Sequence, residues 1–377
     1  MLNSDGHVTT VALGTVHAAV LLRNQQPYRN DALAGRCLVR HDTCMLPTMS
    51  TEYFWRLPTA SDARYGNAVS RRRGERAPAD RSYFTAGVSD PRGVRFNYLD
   101  YLRQIARAAD LTGFDGIHIG NDPNGDESWI VAGHAARATR RVRLLTEFEA
   151  SRGSAVYAAK NAASYQRYTG GRFAWQIGRG GDGAARRRQG DFAEDADISP
   201  RIEEFVTVAR GVLAQAPFSF KGRYFEVLEG GFRGPLSNQA LPPVYLSGDT
   251  EEALQLSARI ADVHVFDALP VQRIKAEIER LTGLAQDHSR TLRFGAHLDI
   301  IARETGAEAD FEARRRAEQG GGSTENFLVG SYAEVISQLV EYAEAGVSSF
   351  ILTSAPHLEE AYRVGEHILP AVQERLA

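Results

Sequence analysis

Beyond Met49 the chain contains neither cysteine nor methionine: Cys37, Cys44, Met1, Met45 and Met49 are the whole complement of both residues. The body therefore has no disulfide framework, no thiol nucleophile and no cysteine-bearing metal motif. Cys37 and Cys44 stand seven residues apart in a terminal stretch, which matches neither a disulfide scaffold nor a zinc spacing. Charge of one sign is also lacking. The formal net charge of −3 gives no electrostatic case for nucleic acid or for a membrane surface. No apolar run approaches the roughly 18 residues a bilayer-spanning helix needs. The longest candidate, Val8 to Leu22, is broken by Thr and His and preceded by Asp5, which argues against a secretory signal. HExxH, GxSxG, Walker A and CxxC are all missing, so zinc-protease, serine-hydrolase and P-loop chemistry are disfavoured.

What is present changes character near Met49. Residues 1–48 contain no Lys or Glu, and a clean strand pattern, TEYFWRLPT, starts at Thr51. The expectation is that Met49 is the natural start and that residues 1–48 are a disordered or non-native leader. A mature chain beginning at Met1 in N-terminal mass spectrometry would overturn it. Residues 49–377 then form one domain. The body without cysteine suits the cytoplasm.

From Met49 onward, short apolar runs alternate with amphipathic stretches. Strands are predicted at Glu52–Leu57, Gly116–Ile119, Val142–Phe148, Phe173–Ile177, Val244–Ser247, Val263–Phe266, Leu292–Ala302 and Ser349–Thr353. Between them, helices are predicted at Leu99–Ala109, Ser128–Ala138, Ala155–Thr169, Arg201–Ala214, Glu251–Ala261, Val271–Ala285 and Tyr332–Ala345, with His357–Leu376 closing the chain. Eight strands each followed by a helix is the count of a (β/α)8 TIM barrel; a doubly wound open sheet is the alternative, because periodicity does not show closure. Asp249 or Thr250 is placed to cap the helix at Glu251, Asp249 with Glu252 having capping-box spacing. Insertions are expected after strand 1 (Pro58–Asn97, with SRRRGERAPADR), after strand 4 and its helix (the hairpin FSFKGRYFEV, turning at Lys221-Gly222) and after strand 7 (Glu304–Ser331, one short helical piece and a GGGS stretch).

Loops that follow strands carry the chemistry of α/β folds. The polar candidates there are Asp62, Asn121, Asp122, Glu147, Glu149, Gln176, Arg179, Asp182, Asp249, Thr250, Asp267, His297, Asp299 and His357. GGRFAWQIGRGGDG, from Gly170 to Gly183, reads as a strand emptying into a glycine loop, either a mobile surface loop or a place where backbone approaches a flat or phosphorylated ligand. Glu147 and Glu149 share a strand face and suit either acid/base work or a salt-bridged rim. His118 reads as a packed core histidine, and the arginine runs 71–73 and 186–188 as solvated faces.

Several stretches resemble the bacterial luciferase-like flavin monooxygenases, in order, from about Tyr53 to Val372. They are YFWRLPT, YLRQIARAADLTGFDGIHI, KGRYFEV followed by PPVYLSGDTEEA, LRFGAHLDIIARET and SSFILTSAPHLEEAYRVGEHILPAV. PHLEEAYR is the most specific, and the nearest branch is the alkanesulfonate monooxygenases. The resemblance implies a barrel that takes FMN as FMNH2 from an NAD(P)H:FMN reductase and uses O2 to oxygenate a small organic substrate, with a homo-oligomer as the family's habit. By matching motif, Gln176 faces the flavin ring, Gly180 and Gly181 admit it, and Gly248, Asp249 and Thr250 with Ser199 form the phosphate loop, where helix N-terminal amides favour an anion.

Departures from the alkanesulfonate pattern cluster at its active site. Gly125, Ala60 and Ala355 stand where that branch has cysteine, histidine and tyrosine. Ser199 replaces a tyrosine, and His297 and Asp299 replace an arginine and a histidine. His357 remains, and the lid after strand 7 is much shorter. The resemblance thus implies a substrate without a simple sulfonate. His297 and His357 become the catalytic candidates, with Asp299 orienting His297 from the same strand face. The alternatives are an F420-dependent hydride-transfer enzyme in the same fold and a non-catalytic flavin-binding barrel.

Overall fold

The computed structural model describes residues 51–59, 98–123, 125–237, 239, 241–318 and 327–377. The leader 1–48, Ala60, Asp62, the arginine run 71–73, most of the first insertion and the GGGS stretch lie outside the described residues.

Eight parallel strands close on one another. They are β1 (Glu52–Leu57), β2 (Gly116–Ile119), β3 (Arg143–Glu149), β4 (Phe173–Gly178), β7 (Val244–Ser247), β8 (Val263–Phe266), β9 (Arg293–Arg303) and β11 (Ser349–Thr353). Each pairs with the next, β8 pairs with β9, and β11 returns to β1. The open-sheet alternative is therefore excluded, and the fold is a (β/α)8 barrel. Outside it run α1 (Tyr98–Leu111), α2 (Ser128–Ala138), α3 (Ala155–Thr169), α5 (Asp195–Ala214), α6 (Glu251–Ile260), α7 (Val271–Asp287), α9 (Tyr332–Glu344) and α10 (His357–His367). Their apolar faces meet the outward residues of the strands in one large core. Among the described residues no helix is long and apolar enough to cross a membrane.

Strand pleating sorts the inward residues into layers. The lowest is ionic. Glu52 meets Arg143 at 2.7 Å and Arg293 at 2.9 Å, and the Tyr245 hydroxyl donates to it at 3.1 Å. Burial alone would raise the Glu52 pKa, but the two guanidiniums outweigh it and the pKa is lowered. Above it sits an apolar layer of Phe54, Leu145, Ala174, Tyr245, Val263, Val265 and Ile351. Gly116 makes this layer possible, because a Cβ there would lie 2.3 Å from the Phe54 ring. Gly116→Ala is expected to cost about 1–3 kcal/mol through overpacking, read from urea unfolding. The third layer, at the C-terminal ends of the strands, is polar and forms the site described below.

The chain departs from its sequence reading mainly in the insertions and at helix ends. After β9 it builds a full helix, α8 (Gly306–Glu318), and an extra parallel strand, β10 (Phe327–Ser331), on the outer half of β9 beyond the β8 pairing. The buried face of α8 is Ala309, Glu312, Ala313 and Arg316, half of it charged, so hydrophobic periodicity under-reports it. A six-residue helix, α4 (Gly183–Arg188), follows the glycine loop, and α5 begins six residues before the predicted Arg201, ahead of Pro200. The added hairpin is present as β5 (Phe218–Lys221) and β6 (Glu226–Gly230). The closing helix divides at Ile368 into α10 and α11 (Leu369–Leu376), with Pro370 in the first turn of the second. Thr250, not Asp249, caps α6 by accepting from the Ala253 amide at 3.3 Å, and the capping box lies instead at Ser331 and Glu334.

Candidate active site

Continuing the inward series of each strand by two residues reaches Arg56 on β1, His118 on β2, Glu147 on β3, Gln176 on β4, Ser247 on β7 and His297 on β9. With Asp267 and Ala268 just past β8, Asp299 on β9 and Phe327 on β10, these side chains line a cavity of about 510 Å³ at the barrel mouth. Active sites of this fold stand at that end. Gln176, His297 and Asp299 are thus brought together, the last two on one strand face as expected. His357 is not in this lining. It is the first residue of α10, 8 % exposed, and belongs to the junction after β11.

His118, read from sequence as a packed core histidine, is both buried and part of the cavity wall. Its ring meets that of His297 edge-on at 5.2 Å, and neither of its nitrogens has a partner in good hydrogen-bond geometry, the Gln176 side chain beside it making at most a weak contact. Burial first, then the repulsion that a second cation at His297 or Arg56 would add, drives its pKa well below the ordinary value against the weak pull of Gln176. Burial and Arg56 likewise push His297 down to about 3. Both rings are therefore neutral at physiological pH. Gln176 is 3 % exposed, and its Oε1 has no partner.

The two strand-3 carboxylates separate. Glu149 becomes a rim group, accepting from Asn121 Nδ2 at 2.6 Å, Ser151 Oγ at 3.1 Å and Arg152 Nε at 3.1 Å. Glu147 turns into the cavity. Its Oε1 lies 2.8 Å from where a Cβ of residue 178 would sit, so Gly178 leaves the room it occupies. Its other oxygen accepts from the Asn121 amide at 3.0 Å. Burial raises the Glu147 pKa against the opposing pull of that amide and of Arg56. The histidines are thus held neutral while a carboxyl is biased toward its protonated form, an inversion that burial produces at functional sites.

The predicted cofactor residues gather beside this cavity around a side chain the motif matching passed over, Arg179. Its Nη1 donates to Ser199 Oγ at 2.8 Å, and its Cδ lies 3.6 Å from where a Cβ of residue 248 would stand. Gly248 has φ +121°, a conformation reserved for glycine, and follows directly on the cavity residue Ser247. Burial lowers the Arg179 pKa while Glu252 opposes the shift. Gly180 and Gly181, at φ +81° and +72°, carry the loop between Arg179 and α4. Arg186 braces it from beneath: only 5 % exposed, it donates to the Gly181 carbonyl at 2.7 Å and pairs with Asp195. It is no solvated face, although Arg187 and Arg188 are. Asp249 is exposed, and the Thr250 hydroxyl is engaged as the α6 cap.

The order of inward residues could have flagged His118, since it shares a parity with Gly116. Arg179, one of the polar loop candidates, takes its place beside the phosphate loop from its position between the strand-4 glutamine and the glycines.

Comparisons with known proteins agree with this architecture. The chain is similar to riboflavin lyase, solved with modified FMN and riboflavin, at 16% identity and a TM-score of 0.69, over 86% of this chain and 92% of the other. A long-chain alkane monooxygenase gives 15% identity and 0.70 over 86% and 92%. The coenzyme F420-dependent tetrahydromethanopterin reductase of Methanopyrus kandleri gives 16% and 0.62 over 73% and 96%. The luciferase-like monooxygenase profile matches residues 80–322, and a match of that extent, on a closed parallel barrel with a polar mouth, means that the chain belongs to the luciferase-like monooxygenase family.

Proposed function

We propose that this protein is the oxygenating component of a two-component flavin-dependent monooxygenase, taking FMNH2 from an NAD(P)H:FMN reductase and using O2 on a small organic substrate. The observation that carries the reading is the pairing of two adjacent features. One is a polar cavity with unpartnered buried hydrogen-bonding atoms on Gln176 and His118; the other is a half-buried guanidinium, Arg179, held by Ser199 beside the Gly248 turn and the N-terminus of α6. A flat ring with amide-like edges suits the first, and a phosphate suits the second. The residues present therefore fit FMN. Gln176 and the Gly180–Gly181 loop would meet the ring, and Arg179 with the amides of the Gly248–Thr250 turn would meet the phosphate.

When bound, the reduced flavin supplies the electrons that activate O2. The chain's own groups orient the reactants, exclude water and handle protons. With a pKa near 3, His297 is a neutral hydrogen-bonding group at pH 7 and carries no acid proton of its own to give. Glu147, its pKa raised, is the better-placed proton donor in the cavity. Asp299 lies two residues from His297 on the same face of β9, in position to orient it. Against Arg56, the lining holds Glu147, Asp267 and Asp299, a poor setting for a sulfonate. The substrate is accordingly something other than a simple alkanesulfonate. A cytoplasmic homo-oligomer completes the proposal.

Anaerobic titration with FMNH2, followed by fluorescence, tests it; affinity weaker than about millimolar, the weak end of the usual substrate range, would sink it. Arg179→Ala is expected to weaken FMN binding by about 10–100-fold, the worth of a charge-assisted hydrogen bond, and to leave riboflavin, which lacks the phosphate, nearly unaffected. Likeness to the F420-dependent reductase supports a second reading, hydride transfer with F420; tighter binding of F420 than of FMN would select it. Oxygen uptake uncoupled from every substrate in a broad panel would instead favour a non-catalytic flavin-binding barrel.

A further inference from the structure

Several features outside the proposed chemistry resolve into structure. The Glu52 cluster plugs the bottom of the barrel, and the exposed Ile130, Tyr157 and Tyr168 sit on helices with nothing to show what would cover them. His118 is different, because its setting lacks a structural explanation. A buried polar side chain in a folded protein almost always has a partner, and one left without costs stability. His118 is 1 % exposed, has only the Gln176 side chain beside its ring and no partner in good hydrogen-bond geometry on either nitrogen, and lies in the wall of the cavity rather than in the apolar layer below it.

The neighbours of His118 say what could satisfy it. On β4, Gln176 Oε1 is likewise buried and unpartnered and asks for a donor. Across the cavity, His297 meets His118 edge-on, a ring contact that leaves the nitrogens of His118 unused. A neutral imidazole offers one N–H donor and one acceptor. Beside a glutamine carbonyl, it calls for a ligand edge on which donors and acceptors alternate. The lactam and imide edges of a conjugated ring have that character, and those of a flavin are the case at hand.

We propose that His118 is a cofactor-contacting residue of this site, hydrogen-bonding the polar edge of the flavin ring together with Gln176. The inference rests on the FMN reading above, and its test separates the two. If the ring of His118 exists to meet a ligand, its polarity is a burden in the empty protein and an asset in the complex. His118→Leu, close in volume and without polar atoms, then keeps or raises the thermal stability of the flavin-free protein while weakening FMNH2 and riboflavin binding about tenfold, the worth of one buried neutral hydrogen bond. His118→Gln, which retains a donor and an acceptor, recovers part of that affinity.

The measurements are thermal melts of the flavin-free proteins and anaerobic fluorescence titrations with FMNH2 and riboflavin. Lower stability of His118→Leu with flavin affinity unchanged would overturn the proposal and return His118 to a packing role. Affinity lost equally in the Leu and Gln variants would also count against it, since the hydrogen-bonding atoms would then be irrelevant. Should the wild-type protein fail to bind flavin at all, the functional reading has failed, and this inference goes with it.

Discussion

Glu360→Ala is expected to destabilise the protein by about 3–5 kcal/mol, the usual cost of breaking a buried ion pair by removing one partner. Glu360 is 1 % exposed and is surrounded by three guanidiniums: Arg303 at 3.0 Å, Arg363 at 2.5 Å and Arg316 at 3.9 Å. Arg316 also bonds Glu312 on its own helix at 3.1 Å, the Ser354 hydroxyl at 3.2 Å and the Ala355 carbonyl. Ser354 in turn donates to the Ile300 carbonyl of β9 at 2.5 Å. Without Glu360, the guanidiniums of Arg303 and Arg316, 17 % and 8 % exposed, repel one another with only Glu312 left between them. Arg363→Ala removes a more exposed member and is expected to cost far less. Urea unfolding of the two variants would decide the matter: equal losses, or a loss below about 1 kcal/mol for Glu360→Ala, the worth of a surface pair, would mean that solvent reaches the cluster.

That network also changes what the most distinctive sequence motif means. PHLEEAYR gave the strongest single resemblance, and His357 within it is a catalytic candidate. In the fold, Glu360 and Arg363 of the motif tie α10 to β9 and to α8, whose following strand delivers Phe327 to the cavity wall. Those two residues hold the mouth in shape, and the cavity is lined without His357.

The barrel itself was legible because its strands are short apolar runs of fixed period between amphipathic helices, and all eight appear within a residue or two of their expected bounds. Gln176 was legible through its matching motif, and His297 and Asp299 through the departures from that pattern and the strand face they share. What pattern reading could not reach depends on neighbours distant in sequence. The charged buried face of α8 looks solvated until Glu360 and Arg303 are placed against it. His118 looks like core until the strand end it occupies is known to open on a cavity. Arg179 gains meaning only from Ser199, twenty residues later, and Gly248.

The second large effect follows from how these histidines are buried. His118 and His264 are 1 % and 0 % exposed. Burial lowers the pKa of His264 to about 4, and that of His118 lies well below the ordinary value. His264 Nδ1 engages Ser257 Oγ at 2.8 Å, and its other nitrogen has no partner. Above an unfolded-state pKa of about 6.5 both rings are neutral whether the chain is folded or not, and their contribution does not vary with pH. Below it the unfolded chain takes up protons that the folded chain refuses, so stability falls as pH falls, down to about 4 for His264. Each ring accounts for about 2 kcal/mol between pH 7 and pH 5, and His297, pushed down to about 3 by burial and Arg56, adds as much, about 6 kcal/mol for the three. Glu147 and Asp115, whose pKa values burial raises, trim that loss by taking up protons earlier in the folded state. Glu52, Asp191 and Glu312, whose pKa values are lowered, add to it only as pH falls into the ordinary carboxylate range. Urea unfolding at pH 7, 6 and 5 should therefore show a steady decline that begins above the carboxylate range. His264→Gln keeps a hydrogen-bonding group for Ser257 but cannot titrate, and should recover about a third of the loss; an unchanged pH slope in that variant would show that His264 is not one of its sources.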